Sequence, residues 1–129
     1  MKNFWENKIP FGYYDLIVRQ GLKDNRGIQA CWHNLTYIKV SQLILGSEEH
    51  LDYACGPGTL IGKYTKSNSL GVDISSNQIN YAIENYSDKG QYKTLENFNL
   101  KNNINKFDAI TVIGLFEYLN DNEILDLLN

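Results

Sequence analysis

Short apolar runs and segments with apolar residues every three or four positions alternate along most of this chain. The first dozen residues are mixed, with Pro10 and Gly12 interrupting any period, and YYDLIV over residues 13–18 opens a short helix. GLKDNRG, residues 21–27, reads as a polar connection. Asn34 then precedes LTYIKVSQLIL, in which Leu35, Ile38, Leu43, Ile44 and Leu45 are mostly spaced for one helical face. Asn34 is expected to cap this helix and Gly46 to close it.

The rhythm then changes. EEHLDYAC (48–55) reads as a short strand ended by glycine, and TLIGKYTK (59–66) places Leu60, Ile61 and Tyr64 on one side of a helix. SLGVDI (69–74) is a second strand. Ser75 followed by Gln78 has the spacing of a capping box, and Ile79, Ala82, Ile83 and Tyr86 form the stripe of a helix packed on one side. QYKTL (91–95) predicts a third strand, and the Asn-rich ENFNLKNNINK behind it a loop. FDAITVI (107–113) is apolar enough to suit a strand covered on both faces. Asn120 with Glu123 forms a second capping box, opening a helix through Ile124, Leu125 and Leu128.

This order is the grammar of an open, mostly parallel α/β sheet behind an N-terminal helical segment, residues 1–46, with the sheet unit over 47–129. Ligands of such sheets sit beyond the carboxyl ends of the strands, near the point where strand order reverses. The turn after Cys55, Asp73, the segment around Leu95 and the segment after Val112 all fall there.

Length and charge narrow the classes. At 129 residues the chain has room for one domain. A net charge of -3, with basic residues scattered singly, argues against a nucleic-acid footprint. No run of eighteen apolar residues suggests a membrane span, and the start lacks a signal-peptide pattern, so a cytoplasmic location is expected. Cys31, His33, His50 and Cys55 lack the tight cysteine spacing or paired histidines of a zinc site, and no metal is expected.

The sharpest local feature is Gly56-Pro57-Gly58, directly behind the first strand. Backbone amides at such a turn favour an anion or a carboxylate, and Asp73, ending the second strand, can accept from the two hydroxyls of a ribose. A P-loop fails because Pro57 stands at its first glycine and Tyr64 at its hydroxyl. The dinucleotide pattern fails because Ile61 takes the third glycine position counted from Gly56. A nucleoside without phosphates fits both the turn and the carboxylate.

LDYACGPGTL, GVDIS at 71–75 and FDAITVIGLFEYLND at 107–121 together resemble the class I S-adenosylmethionine-dependent methyltransferases over roughly residues 48–121. The resemblance implies a Rossmann-like sheet of order 3-2-1-4, a truncated version of the seven-stranded fold with its C-terminal strands absent. It implies S-adenosylmethionine as cofactor and methyl transfer to a small-molecule acceptor. By the same resemblance, Asp52 orients the methionine amino group, and Ala54 through Gly58, including Cys55 and Gly56, cradle the methionine. Asp73 holds the ribose and Ile74 lies against adenine. Leu95 and Glu96 stand at the adenine edge, Ile113 and Gly114 pass near the amino acid, and Tyr14 or Tyr13 closes the site. Ala54 replaces the family's first glycine, and Leu95 stands where an acidic residue is common. No catalytic residue is assigned. The last strand would lie at an exposed edge, which also suits pairing of two chains. Two rivals stay open: a non-catalytic remnant that binds the cofactor or dimerises, and a NAD-dependent oxidoreductase.

Overall fold

Four short strands form one parallel sheet in the order β3-β2-β1-β4 in the computed structural model, which describes residues 2–129. They are β1 (Glu49–Tyr53), β2 (Asn68–Asp73), β3 (Gln91–Thr94) and β4 (Ala109–Val112). Three helices precede them: α1 (Lys2–Asn7), α2 (Tyr13–Lys23) and α3 (Ile28–Leu43). Helix α4 (Thr59–Lys63) links β1 to β2, α5 (Ser76–Tyr86) links β2 to β3, and α6 (Asp121–Leu128) follows β4. Two 3-10 turns, Leu95–Asn97 and Ile104–Lys106, stand in the Asn-rich connection. The order reverses between β1 and β4, so the carboxyl ends of those two strands mark the switch point.

Leu51 and Val72 are fully buried in the two central strands. Ile61 of α4 joins Ile79, Tyr81, Ala82 and Tyr86 of α5 and Tyr92 of β3 in one apolar cluster. A methyl group on Gly58 would meet the Tyr92 ring at 2.8 Å and Ala82 at 2.9 Å. Glycine at this position, with φ +78°, therefore lets α4 settle on α5.

The segment ahead of the sheet departs from expectation. Helix α2 runs on through residues 21–23, and α1 forms in the stretch that showed no period. Helix α3 starts at Ile28, with Gly27 rather than Asn34 at its cap, and Asn34 instead accepts a hydrogen bond from the Tyr64 hydroxyl at 2.6 Å. The predicted apolar face of α3 is turned outward: Leu35 and Leu43 are exposed, while Ala30, His33, Asn34 and Tyr37 point inward. Apolar residues surround this helix, so periodicity carried no direction. Strand β4 is less covered than expected, with Ile110 41% exposed, because it forms an edge of the sheet.

The two caps also differ from each other. Asn120 and Glu123 form the full reciprocal box on α6. Ser75 accepts from the Gln78 amide, but the Gln78 side chain reaches away to the Pro10 carbonyl and the Gly12 amide. Its place on the Ser75 amide is taken by Asp73 at 2.9 Å. Gln78 thereby ties the entry of α2 to α5.

One buried carboxylate seats α2 on the core. Asp15 is completely buried; it accepts hydroxyl hydrogen bonds from Thr59 (2.8 Å), Tyr81 (2.7 Å) and Tyr86 (2.7 Å). Arg19, one turn further along α2, approaches it at 3.1 Å. Charge, lone pairs and helix position are all satisfied at one point. Tyr14, next in sequence, is carried by this anchor to the end of the sheet.

Candidate functional site

A cleft of about 1020 Å³ opens at the carboxyl ends of the strands, at the upper end of the usual span of small-molecule sites, about 300–1,000 Å³. Asp52, Ala54, Cys55, Gly56, Asp73, Ile74, Leu95, Ile113, Gly114 and Tyr14 all line it. Gly58 does not: it faces the packing between α4 and α5 described above. Glu96 does not either, and is ion-paired with Lys2 of α1 at the surface. Tyr13 packs edge-on against Tyr14 from outside the cleft.

The glycine turn is built from unusual backbone angles. Ala54, Gly56 and Gly58 all have positive φ, at 66°, 53° and 78°. A side chain on Gly56 would meet only open space, so glycine is required there by its backbone angle rather than by packing. Ala54 holds the left-handed angle against its Cβ, at a cost of about 1 kcal/mol. An Ala54→Gly protein is therefore expected to gain up to about 1 kcal/mol in denaturant unfolding, with unchanged m-value.

Two carboxylates face this turn. Asp73 accepts from the Gly56 amide at 2.8 Å and the Ser75 amide at 2.9 Å, which fixes both of its oxygens at the tip of β2. Asp52 is only 3% exposed and accepts from the Thr111 hydroxyl at 2.7 Å. Burial pushes Asp52 up to about 7, against the opposing Thr111 hydrogen bond. Burial also raises Asp73, against the Ser75 and Gly56 amides. Burial and then the two carboxylates raise the Cys55 thiol, so it stays protonated. Among the described residues no lysine or arginine pairs with Asp52 or Asp73, and of those two residue types only Lys101 reaches the lining.

Beyond Asp52 the wall is aromatic. The His33 ring stacks on Tyr37 at 5.9 Å and meets Tyr14 and Trp32 edge-on at 5.8 and 5.0 Å. Burial raises the Tyr37 hydroxyl, with Asp52 the next contributor, so this cluster adjoins the Asp52 end of the cleft. His33 Nδ1 is buried without a partner, and burial lowers the ring's basicity. From the other side, Trp5 meets Tyr118 edge-on at 5.1 Å, and Glu6 caps α5 through Ser76 and Asn77, so α1 lies along the cleft rim. Trp5, Tyr37 and Thr111 had carried no sequence signal beyond their bulk or polarity in otherwise ordinary elements. Among the described residues no group of three or more His, Cys, Asp or Glu could hold a metal ion. No helix among them is long and apolar enough to cross a membrane.

Residues 51–129 match the family model described as a methyltransferase domain, and the chain belongs to that family. No curated protein matches the sequence. Among solved structures, the chain is similar to magnesium protoporphyrin IX methyltransferase from Synechocystis PCC 6803, crystallised with SAH. That match has a TM-score of 0.62 at 16% identity and covers 74% of this chain and 48% of the other. A TehB-like SAM-dependent methyltransferase from Corynebacterium glutamicum gives 0.56 at 18% identity, over 84% and 57%. PKMT2 from Rickettsia typhi, in complex with AdoHcy, gives 0.50 at 29% identity, over 72% and 21%. The chain thus spans about half the length of the first two and a fifth of the third. The fold is the α/β methyltransferase fold, in the strand order 3-2-1-4.

Proposed function

We propose that this chain binds S-adenosylmethionine in the cleft and supplies the donor side of a methyl-transfer site. The observation that carries this reading is the pair of carboxylates, the buried Asp52 and the half-buried Asp73, facing one glycine turn with no basic partner among the described residues. Two anions so placed favour a ligand with cationic groups and ribose hydroxyls. They disfavour the pyrophosphate of NAD, which would lie against like charge.

The chain's residues fit that ligand. Asp73 would accept from the ribose hydroxyls and Asp52 from the amino group. Ile74 and Leu95 would border the adenine, with Glu96 turned away to Lys2. Ala54 through Gly56 would pass beside the methionine chain, opposite Ile113 and Gly114. When bound, S-adenosylmethionine supplies a methyl group already activated by its positively charged sulfur. The protein's share is to align an acceptor and exclude water. Tyr14, Trp32, His33 and Tyr118 form the wall left for it, which suits a small acceptor with an apolar or planar body.

Calorimetry of the chain with S-adenosylmethionine, S-adenosylhomocysteine and NAD tests this. The first two are expected to bind and NAD to give no heat. Binding of NAD alone would reverse the reading, and silence from all three would leave only the fold. The affinity also carries a pH signature. Asp52 is protonated below about pH 7, so an ammonium ligand must displace that proton. S-adenosylhomocysteine affinity is expected to rise as pH rises toward 7 and then level off, with proton release on binding below that point. The sign is opposite for the free protein: its folded-state Asp52 binds a proton more tightly than the unfolded chain does. Folding stability from this group therefore falls as pH rises from about 4 to about 7.

A further inference from the structure

Below the cleft, one face of the sheet carries four polar side chains in a row. Parallel register places Ser69 opposite His50 and Thr111 opposite Asp52, and His50 and Asp52, two apart on β1, share that face. His50 is fully buried, and Ser69, Asp52 and Thr111 are nearly so. His50 Nδ1 lies 2.9 Å from Ser69 Oγ, His50 Nε2 lies 2.8 Å from Thr111 Oγ1, and Thr111 Oγ1 lies 2.7 Å from Asp52 Oδ1. Ser69 Oγ is also 3.1 Å from the Ser67 carbonyl and 3.5 Å from Thr65 Oγ1. Both nitrogens of a buried histidine are thus spent inside the sheet, on a chain that ends at the candidate cofactor carboxylate.

Counting hydrogens gives two complete arrangements. With Asp52 ionised, Thr111 donates to it, His50 Nε2–H donates to Thr111, and Ser69 donates to the bare Nδ1. With Asp52 protonated, its O–H donates to Thr111, Thr111 donates to the bare Nε2, Nδ1–H donates to Ser69, and Ser69 donates to the Ser67 carbonyl. The second holds one proton more than the first, and that proton resides on Asp52. Every buried donor and acceptor in the row is satisfied in both, and His50 is neutral in both. Burial supports that neutrality by pushing His50 down to about 4. A carboxylate that kept one charge state would need only one of these patterns.

We infer that Ser69, His50 and Thr111 are positioning residues that hold Asp52 in place in both its protonated and ionised forms, and that capture of a cationic amino group by Asp52 reverses the chain and switches the His50 tautomer. The ligand half of this inference rests on the S-adenosylmethionine reading; the chain itself does not. The other titratable groups bearing on Asp52 are Asp73 at the end of β2, Tyr37 on α3, Cys55 in the turn and Tyr92 on β3. Asp108, just before β4, bears on His50. None of them interrupts the row.

Nitrogen-15 NMR of histidine reads the tautomer directly. The chain has two histidines, so a His33→Gln protein reports on His50 alone. Its ring is expected to carry its single proton on Nδ1 between about pH 5 and about pH 6 and on Nε2 above about pH 8. At about pH 6, saturating S-adenosylhomocysteine is expected to move it to Nε2. In an Asp52→Asn background the side chain no longer titrates, so one neutral His50 tautomer should persist from about pH 6 to about pH 8. Thr111→Val should uncouple His50 from pH and weaken S-adenosylhomocysteine binding at neutral pH by roughly tenfold, with Thr111→Ser restoring both. One tautomer throughout the pH range, or a switch that survives Asp52→Asn, overturns the chain. A switch with pH but none on binding of S-adenosylhomocysteine overturns the ligand half. Failure of that ligand to bind overturns the proposed function instead, while the pH series still decides the chain.

Discussion

An Asp15→Ala protein is expected to lose about 3–5 kcal/mol of folding stability, the scale of breaking a buried charged network from one side. The substitution leaves the hydroxyls of Thr59, Tyr81 and Tyr86 and the Arg19 guanidinium around an empty site. Two of those hydroxyls are already strained toward the neutral form. Burial and the Asp15 hydrogen bond push Tyr81 up to about 12, and Tyr86 rises for the same reasons. Asp15→Asn keeps one acceptor oxygen and offers its amide to hydroxyls that can rotate to accept, so its loss should be roughly half as large. Denaturant unfolding measures both. Because Tyr14 rides on the same turn of α2, Asp15→Ala should also weaken S-adenosylhomocysteine binding under conditions where the chain is still folded. A loss below about 1 kcal/mol for Asp15→Ala would mean that α2 is held mainly by its packing on α3.

Asp15 also marks the limit of what the sequence made legible. Its three hydroxyl partners lie 44, 66 and 71 residues away, and no local period encodes such a convergence. The YYD segment pointed to the cleft through its tyrosines, whereas its carboxylate turned inward to the core. The strands and α5 were readable because their signals are local: alternation or a short apolar run, then a turn or cap. Parallel order followed from the resemblance of three motifs, and the turn at Gly56 and the carboxylate at Asp73 meet in space because both end neighbouring strands. Helix α3 failed on direction because apolar residues ring its surface, leaving burial to be decided by the Tyr64 hydrogen bond to Asn34 and the ring contacts of His33 and Tyr37. His50 was legible only as a possible metal ligand. Its spacing of two from Asp52 put both on one face of a strand, and polar residues paired that way inside a buried sheet were the available sign of a network.

The second large effect is expected at Asp73. An Asp73→Ala protein should bind S-adenosylhomocysteine at least about a hundredfold more weakly, since each hydrogen bond to a charged acceptor contributes about 1.5–3 kcal/mol and a ribose offers two. Asp73 also holds the Gly56 and Ser75 amides, so part of any loss could arise from a slackened turn rather than from the ribose. Fragments separate the two causes. Adenosine carries the ribose without the amino acid, and methionine carries the amino acid without the ribose. If Asp73 acts on the ribose, adenosine binding should fall with S-adenosylhomocysteine binding while methionine binding is spared. If it acts by shaping the turn, methionine should suffer as well, because Ala54 through Gly56 border the amino-acid end. An Asp52→Asn protein should give the reverse split, losing methionine and keeping adenosine. Affinity of Asp73→Ala for S-adenosylhomocysteine within about threefold of the parent would remove the ribose from β2. The nucleoside would then have to lie elsewhere in a cleft large enough to allow it.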